Sequence, residues 1–322
     1  MTRRLDLRAW LREQRALVIA SAIIVALIVV TDIRHPGFAS VDSLRDQLRL
    51  ASFLGVAAAA QTILILTGGI DISIAWNLNF SAILMTQIAS AHNDAGSVIP
   101  AIGAALGAAT AIGLLNGLGV AFLRIPPLVM TLGTNTALIG LTLVYTNGTP
   151  QGTSPRFISQ AVNGRVLGIP WAVIVWLVVS VAMIFLLKRT VFGRHLYAIG
   201  NNARAAYLSG VPVRGVLVAA YVVAGFLAGI TGLLLTGYSN QSYLRMGDPF
   251  VLPAIAAVVI GGTSILGGSG GYIGTILGAI IVRLLLSVLS VENRGQADQE
   301  ILFGAVVLLM LLLYGREAKT LE

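Results

Sequence analysis

Apolar runs of 15 to 25 residues recur from one end of this chain to the other, and they restrict what it can become more than any other feature. A helix needs about 20 residues to cross the roughly 30 Å of hydrocarbon in a bilayer. Inside lipid only helices or closed barrels satisfy their backbone groups, and the alternation expected of barrel strands is absent. The charged fraction is 11%, against about 25% in a soluble domain. The sequence therefore predicts an all-α integral membrane protein with one transmembrane domain over 1–322. Ten helices are expected, at about 16–31, 50–67, 73–91, 98–122, 128–146, 169–187, 216–238, 250–262, 272–291 and 300–314. The first run, following Arg3-Arg4, lacks a clean small-x-small cleavage site and reads as a retained helix rather than a signal peptide.

The net charge of +8 does not point to nucleic acid, because the basic residues are scattered between apolar runs. It reports topology instead, since loops rich in Lys and Arg stay on the cytoplasmic side. With both termini inside, thirteen Lys and Arg fall on cytoplasmic segments and seven on outer ones. The cytoplasmic parts are then the tail 1–15, the loop 188–215 and the tail 315–322. Residues 32–49 place Val41, Leu44, Leu48 and Phe53 at helical spacing, as an amphipathic helix lying on the membrane surface would. Residues 147–168, rich in Gly, Ser, Thr, Asn and Pro, read as an irregular outer loop.

The loop 188–215 carries more than charge. Asn201 or Asn202 can cap a short helix over Ala203–Ser209, and Gly210 with Pro212 can end it. Phe192, Tyr197, Ile199, Tyr207 and Leu208 give this loop an apolar and aromatic component that a pure topology signal does not require, whereas a docking surface does.

Here the chain resembles the membrane subunits of ATP-binding-cassette importers for ribose and related monosaccharides. The resemblance rests on TGGIDIS at 67–73, PPLVMTLGT at 126–134, FGRHLYAIGNNARAAYLSGVPV at 192–213 and GGTSILGGSGGYIGTILGA at 261–279. It departs from the family pattern at Ala75 and Trp76, at Gly200-Asn201-Asn202 and at Arg283. The resemblance implies ten transmembrane helices in a bacterial inner membrane and a homodimer around a central pathway. It also implies a separate ATPase subunit and a periplasmic sugar-binding protein as partners. The ATPase would dock on the coupling loop that holds Phe192, Gly193, Arg194, Tyr197, Gly200, Asn201, Asn202, Ala205, Ala206, Ser209 and Gly210.

Asp71 is the single acid between Asp46 and Asp94. With Gly68 and Gly69 before it and Ser73 after it, it reads first as the cap of a hairpin between the second and third helices. A sugar contact or a proton-relay role are the alternatives. Trp76, Asn77, Asn79, Asn116 and Asn135 lie at membrane depth, where neutral amides and an indole suit a hydroxyl-rich solute; hydrogen bonds between helices are the competing use. The glycines from 261 to 274 do not form a phosphate loop, because no Gly-Lys-Ser/Thr follows them and the only lysines are Lys188 and Lys319. No cofactor or metal is expected. His35, His92 and His195 all fall in loops and make no catalytic cluster, which disfavours an intramembrane enzyme. An ion-coupled secondary transporter would want buried acids along its path, and Asp71 is the sole candidate.

Overall fold

The computed structural model describes residues 15–92 and 95–319, so the tail 1–14 and residues 320–322 lie outside the described residues. Among the described residues there are twelve α-helices. They are α1 (Arg15–Arg34), α2 (Val41–Leu66), α3 (Ile74–His92), α4 (Ala95–Ala121), α5 (Pro127–Thr146), α6 (Arg156–Asn163), α7 (Trp171–Arg189), α8 (Val191–Leu208), α9 (Val213–Ser239), α10 (Val251–Ile260), α11 (Tyr272–Val291) and α12 (Gln296–Lys319). Each expected apolar run holds one of them. Six are both long and apolar enough to cross a membrane: α2, α4, α5, α7, α9 and α11.

The bundle is organised around α2, in which every residue from Ala51 to Leu66 is buried. Helices α7, α9, α10 and α11 pack around it, while α9 also lies along α3 and α4. Small residues set the closest approach. Ala109, Gly113 and Gly117 recur every fourth position on α4, the first two facing Gly225 and Gly229 on α9 and Gly117 facing Val218 and Tyr221. A Cβ on Gly113 or Gly225 would collide with the facing backbone. In lipid, where apolar burial does not separate helix contact from lipid contact, such close packing is what holds helices together. Beside it, Trp176 Nε1 donates to Tyr272 Oη at 2.9 Å, and Tyr272 Oη donates to the Gly55 carbonyl at 2.8 Å. Gly55 leaves the space that the Trp176 indole fills.

Three local expectations are corrected. The surface helix at 32–49 is not a separate element: Ser40 accepts from the Ser43 amide at 3.3 Å, and the helix begun there runs unbroken to Leu66. The segment 147–168 is not irregular throughout. It contains α6, whose Ile158 and Val162 are buried against α9, and a two-residue hairpin pairing Arg165–Val166 with Ile169–Pro170. Two of the three histidines are helical, His92 ending α3 and His195 lying within α8. Residues 315–319 continue α12.

Candidate functional site

Three segments distant in sequence meet at one end of the bundle: the end of α2, the middle of α8, and the glycine-rich turn after α10. The α2 helix stops at Leu66 with Gly68 at φ +81°, a backbone state that favours glycine. The turn stacks glycines at positive φ: Gly262, Gly267, Gly268 and Gly270. Gly268 donates its amide to the Leu66 carbonyl at 3.0 Å. Gly200 of α8 fits against both of those groups, and a Cβ there would strike the Leu66 carbonyl and the Gly268 amide. Side chains then lace the joint. Tyr197 Oη donates to the Gly270 carbonyl at 3.0 Å, and Asn201 Nδ2 donates to the carbonyls of Tyr197 and Gly268 at 2.9 and 3.3 Å.

Immediately after this joint, α8 breaks. Asn202 leaves helical geometry (φ −163°, ψ 104°), and its Oδ1 accepts from the Ala205 amide at 2.9 Å. It is the N-cap of a second short helix, which Ser209 closes and Gly210 leaves at φ +84°. Ala206 is buried under it, while Ala205, Ser209 and Gly210 face solvent. Tyr207 and Leu208 are 69% and 77% exposed. The first half of α8 was not expected to be helical. Thr190 caps it by accepting from the Gly193 amide at 3.1 Å, Gly193 is buried against the carbonyls of Leu186 and Leu187, Phe192 is half-buried and Arg194 is exposed.

From the same end a buried polar chain runs into the bundle. Asp71, 4% exposed, accepts from the Ser73 amide at 2.7 Å and from its hydroxyl at 2.6 Å through one oxygen, Oδ1. The carboxylate thus holds the turn ahead of α3, and the Ser73 carbonyl accepts the first helical bond, from Asn77, at 2.8 Å. Gln61 on α2 clamps the Asp71 peptide group on both sides, and Gly69 is buried beside it. Asn116 on α4 donates to the Ser73 hydroxyl at 2.8 Å, and Thr134 on α5 donates to Asn116 Oδ1 at 2.6 Å. Four helices are therefore joined through five side chains. Thr131 extends the link, accepting from the Ile72 amide at 3.2 Å.

The other residues expected along a pathway each make contacts of their own. Trp76 is buried in a small apolar cluster with Ala75, Ile112 and Leu138. Asn77 donates to the Ala109 carbonyl at 3.1 Å, tying α3 to α4, and Asn79 accepts from the Met246 amide at 3.1 Å. Among the described residues, Asn77 Oδ1, Asn79 Nδ2 and Asn135 Oδ1 are buried without a partner. Arg283, the unexplained cation of α11, donates from Nε to Gln47 Oε1 at 3.1 Å, a neutral partner 236 residues away that no local pattern announces.

A bundle of long apolar helices, with an exposed short helix locked to one end and mostly neutral polar side chains in its interior, defines a multi-pass membrane protein. The sequence pattern of the family described as branched-chain amino acid transport system / permease component matches residues 43–314, and the chain belongs to that family. It is a permease subunit of the bacterial inner membrane, a transporter component rather than an enzyme. The chain is 33% identical over 314 residues to the ribose import permease protein RbsC of Escherichia coli K12, covering 96% of both. It is 36% identical to the protein of the same name from Bacillus subtilis over 292 residues, 89% of each. With the L-arabinose ABC transporter permease protein AraH of Azospirillum brasilense it shares 28% over 295 residues, 90% of this chain and 85% of that one. No solved structure matches the chain.

Proposed function

We propose that this chain is the membrane subunit of an ATP-binding-cassette importer for a monosaccharide. A periplasmic binding protein would deliver the sugar, a second copy of the chain would complete the pathway, and a separate ATPase would drive the cycle. The names of the relatives support the sugar class, and the uncharged amides of the bundle interior suit a neutral solute. All helices except α6 and α8 would span the bilayer, α10 only partly, with both termini and the Gly200 joint on the cytoplasmic side.

The observation that carries this reading is the exposed pair Tyr207 and Leu208 on a capped helix whose base is fixed to two other segments by backbone contact. Apolar side chains presented at a polar membrane boundary suit a protein partner, and the fixed base lets that partner's movement reach the bundle. Gly68, Gly69, Asp71 and Ser73 then serve as the hairpin that receives the movement, and Asn116 carries it toward α5. The five residues Trp76, Asn77, Asn79, Asn116 and Asn135 remain candidates for the pathway lining, the free amide atoms of Asn77, Asn79 and Asn135 being the groups available to a solute.

The chain has no cysteine, so single-cysteine variants give clean topology. Leu208→Cys is expected to crosslink to the cassette ATPase and to react with impermeant maleimide only from the cytoplasmic side. Labelled pentose uptake into cells is expected to stop when ATP is depleted. Uptake sustained by a proton gradient without ATP would instead favour the ion-coupled transporter.

A further inference from the structure

Away from the Gly200 joint, α2, α9, α11 and α12 separate around a cavity of about 380 Å³. Small-molecule sites occupy about 300–1,000 Å³, so this space holds a solute of modest size. Its walls combine three chemistries. Arg283 enters from α11, and its two Nη groups have no partner among the described residues, Gln47 engaging only Nε. It forms no ion pair among the described residues. Two carboxylates line the same space. Asp248 spends Oδ2 on Arg245 at 2.6 Å, and Glu300 spends Oε1 on Gln296 at 2.9 Å, each keeping one oxygen for another donor. Between them lie aromatic faces, with Phe53 and Tyr238 packed at 5.4 Å between ring centroids.

Each simpler class of ligand meets an obstacle here. An anion meets the carboxylates of Asp248 and Glu300, of which Arg245 pairs only the first, and a cation meets Arg283. A purely apolar molecule would leave the two Nη groups of half-buried Arg283 without hydrogen bonds, which is costly. A neutral polyhydroxylated ring satisfies all three groups together. Its oxygens accept from Arg283, its hydroxyl hydrogens are donated to Asp248 and Glu300, and its C–H face lies on the rings. The rim at Ser290, Gln296 and Gln299 sits where α11 ends and α12 begins, at the end of the bundle opposite the Gly200 joint.

We propose that this cavity is a monosaccharide subsite within each protomer, open to the extracytoplasmic side. The inference rests on the sugar-import reading given above and adds a place of residence for the sugar inside a single subunit. The test uses the full chain in nanodiscs, with tritiated D-ribose, L-arabinose and D-galactose as probes in a scintillation proximity assay. At least one probe is expected to saturate the wild type. Arg283→Gln is expected to weaken that binding tenfold or more, Arg283→Lys less, and unlabelled D-ribonate, an anion, is expected not to compete. Because Arg283 also holds Gln47, Glu300→Ala at the rim provides a second variant, expected to weaken binding several-fold with an unchanged melting temperature. Absence of binding by all three sugars refutes the subsite, as does wild-type affinity in both Arg283→Gln and Glu300→Ala. ATP-dependent uptake by wild-type cells is measured in parallel. If uptake persists while the binding result is negative, only the subsite falls; if no sugar is imported, the function reading itself falls.

Discussion

Replacing Gly200 by alanine adds one methyl group at the point where backbone meets backbone. The new Cβ would overlap the Leu66 carbonyl and the Gly268 amide, with Gly268 Cα at 3.0 Å. None of these is the end of a flexible side chain, so the joint must open. Overpacking of this kind costs about 1–3 kcal/mol. The methyl also crowds both ends of the Gly268-to-Leu66 hydrogen bond, whose loss adds about 1 kcal/mol. The expected destabilisation is therefore about 2–4 kcal/mol by these two contributions. Gly215→Ala is the matched control, because nothing lies within 4 Å of its added Cβ near the start of α9, and alanine there gains up to about 1 kcal/mol in helix propensity. Thermal melting of the detergent-purified variants is the first readout, and ATP-dependent uptake per inserted molecule is the second. Gly200→Ala is expected to melt well below wild type and to lose uptake, while Gly215→Ala retains both. If the two variants melt together, the contact between α2, α8 and the glycine-rich turn is not tight, and the transmission of movement through it is refuted.

Asp71→Asn keeps an oxygen that can accept from both the amide and the hydroxyl of Ser73, so most uptake is expected to survive it. Asp71→Ala removes that oxygen and strands buried donors at about 1–3 kcal/mol, lowering membrane levels in a quantitative blot; loss of uptake in Asp71→Asn at normal levels would show that the negative charge itself is needed. Asn202→Leu deletes the cap of the second half of α8 at a cost of about 1 kcal/mol, and is expected to weaken co-purification of the ATPase, whereas Asn202→Asp is expected to preserve it.

The legible part of the structure was whatever local chemistry decides. Long apolar runs place the helices, and the pairing of Asn202 with Gly210 marks both ends of the short exposed helix. Residues 156–163 carried a readable signal as well, since Ile158 and Val162 are one turn apart behind Pro155, but the surrounding Gly, Ser and Thr obscured it. The continuation of α2 back to Val41 was hidden for a different reason. Its first turns are amphipathic, and an amphipathic stretch reads alike whether it rests on a membrane or begins a buried helix. Partners remote in sequence left no trace at all. Nothing near Arg283 announces Gln47, and nothing near Asn79 announces Met246. For the interior asparagines the side-chain type was informative about environment, but the bond each one makes depends on which helix happens to lie opposite.

The joint around Gly200 is made of peptide groups, and that has a mechanical result. Side chains can change rotamer and absorb a displacement, whereas peptide groups in contact have no such freedom. A force applied at Tyr207 would therefore pass to the foot of α2 with little lost motion, and every molecule would deliver a stroke of the same length. The same absence of slack means that no neighbouring substitution can make room for a bulkier residue, so this corner of the protein would tolerate change less well than sites far richer in recognisable chemistry.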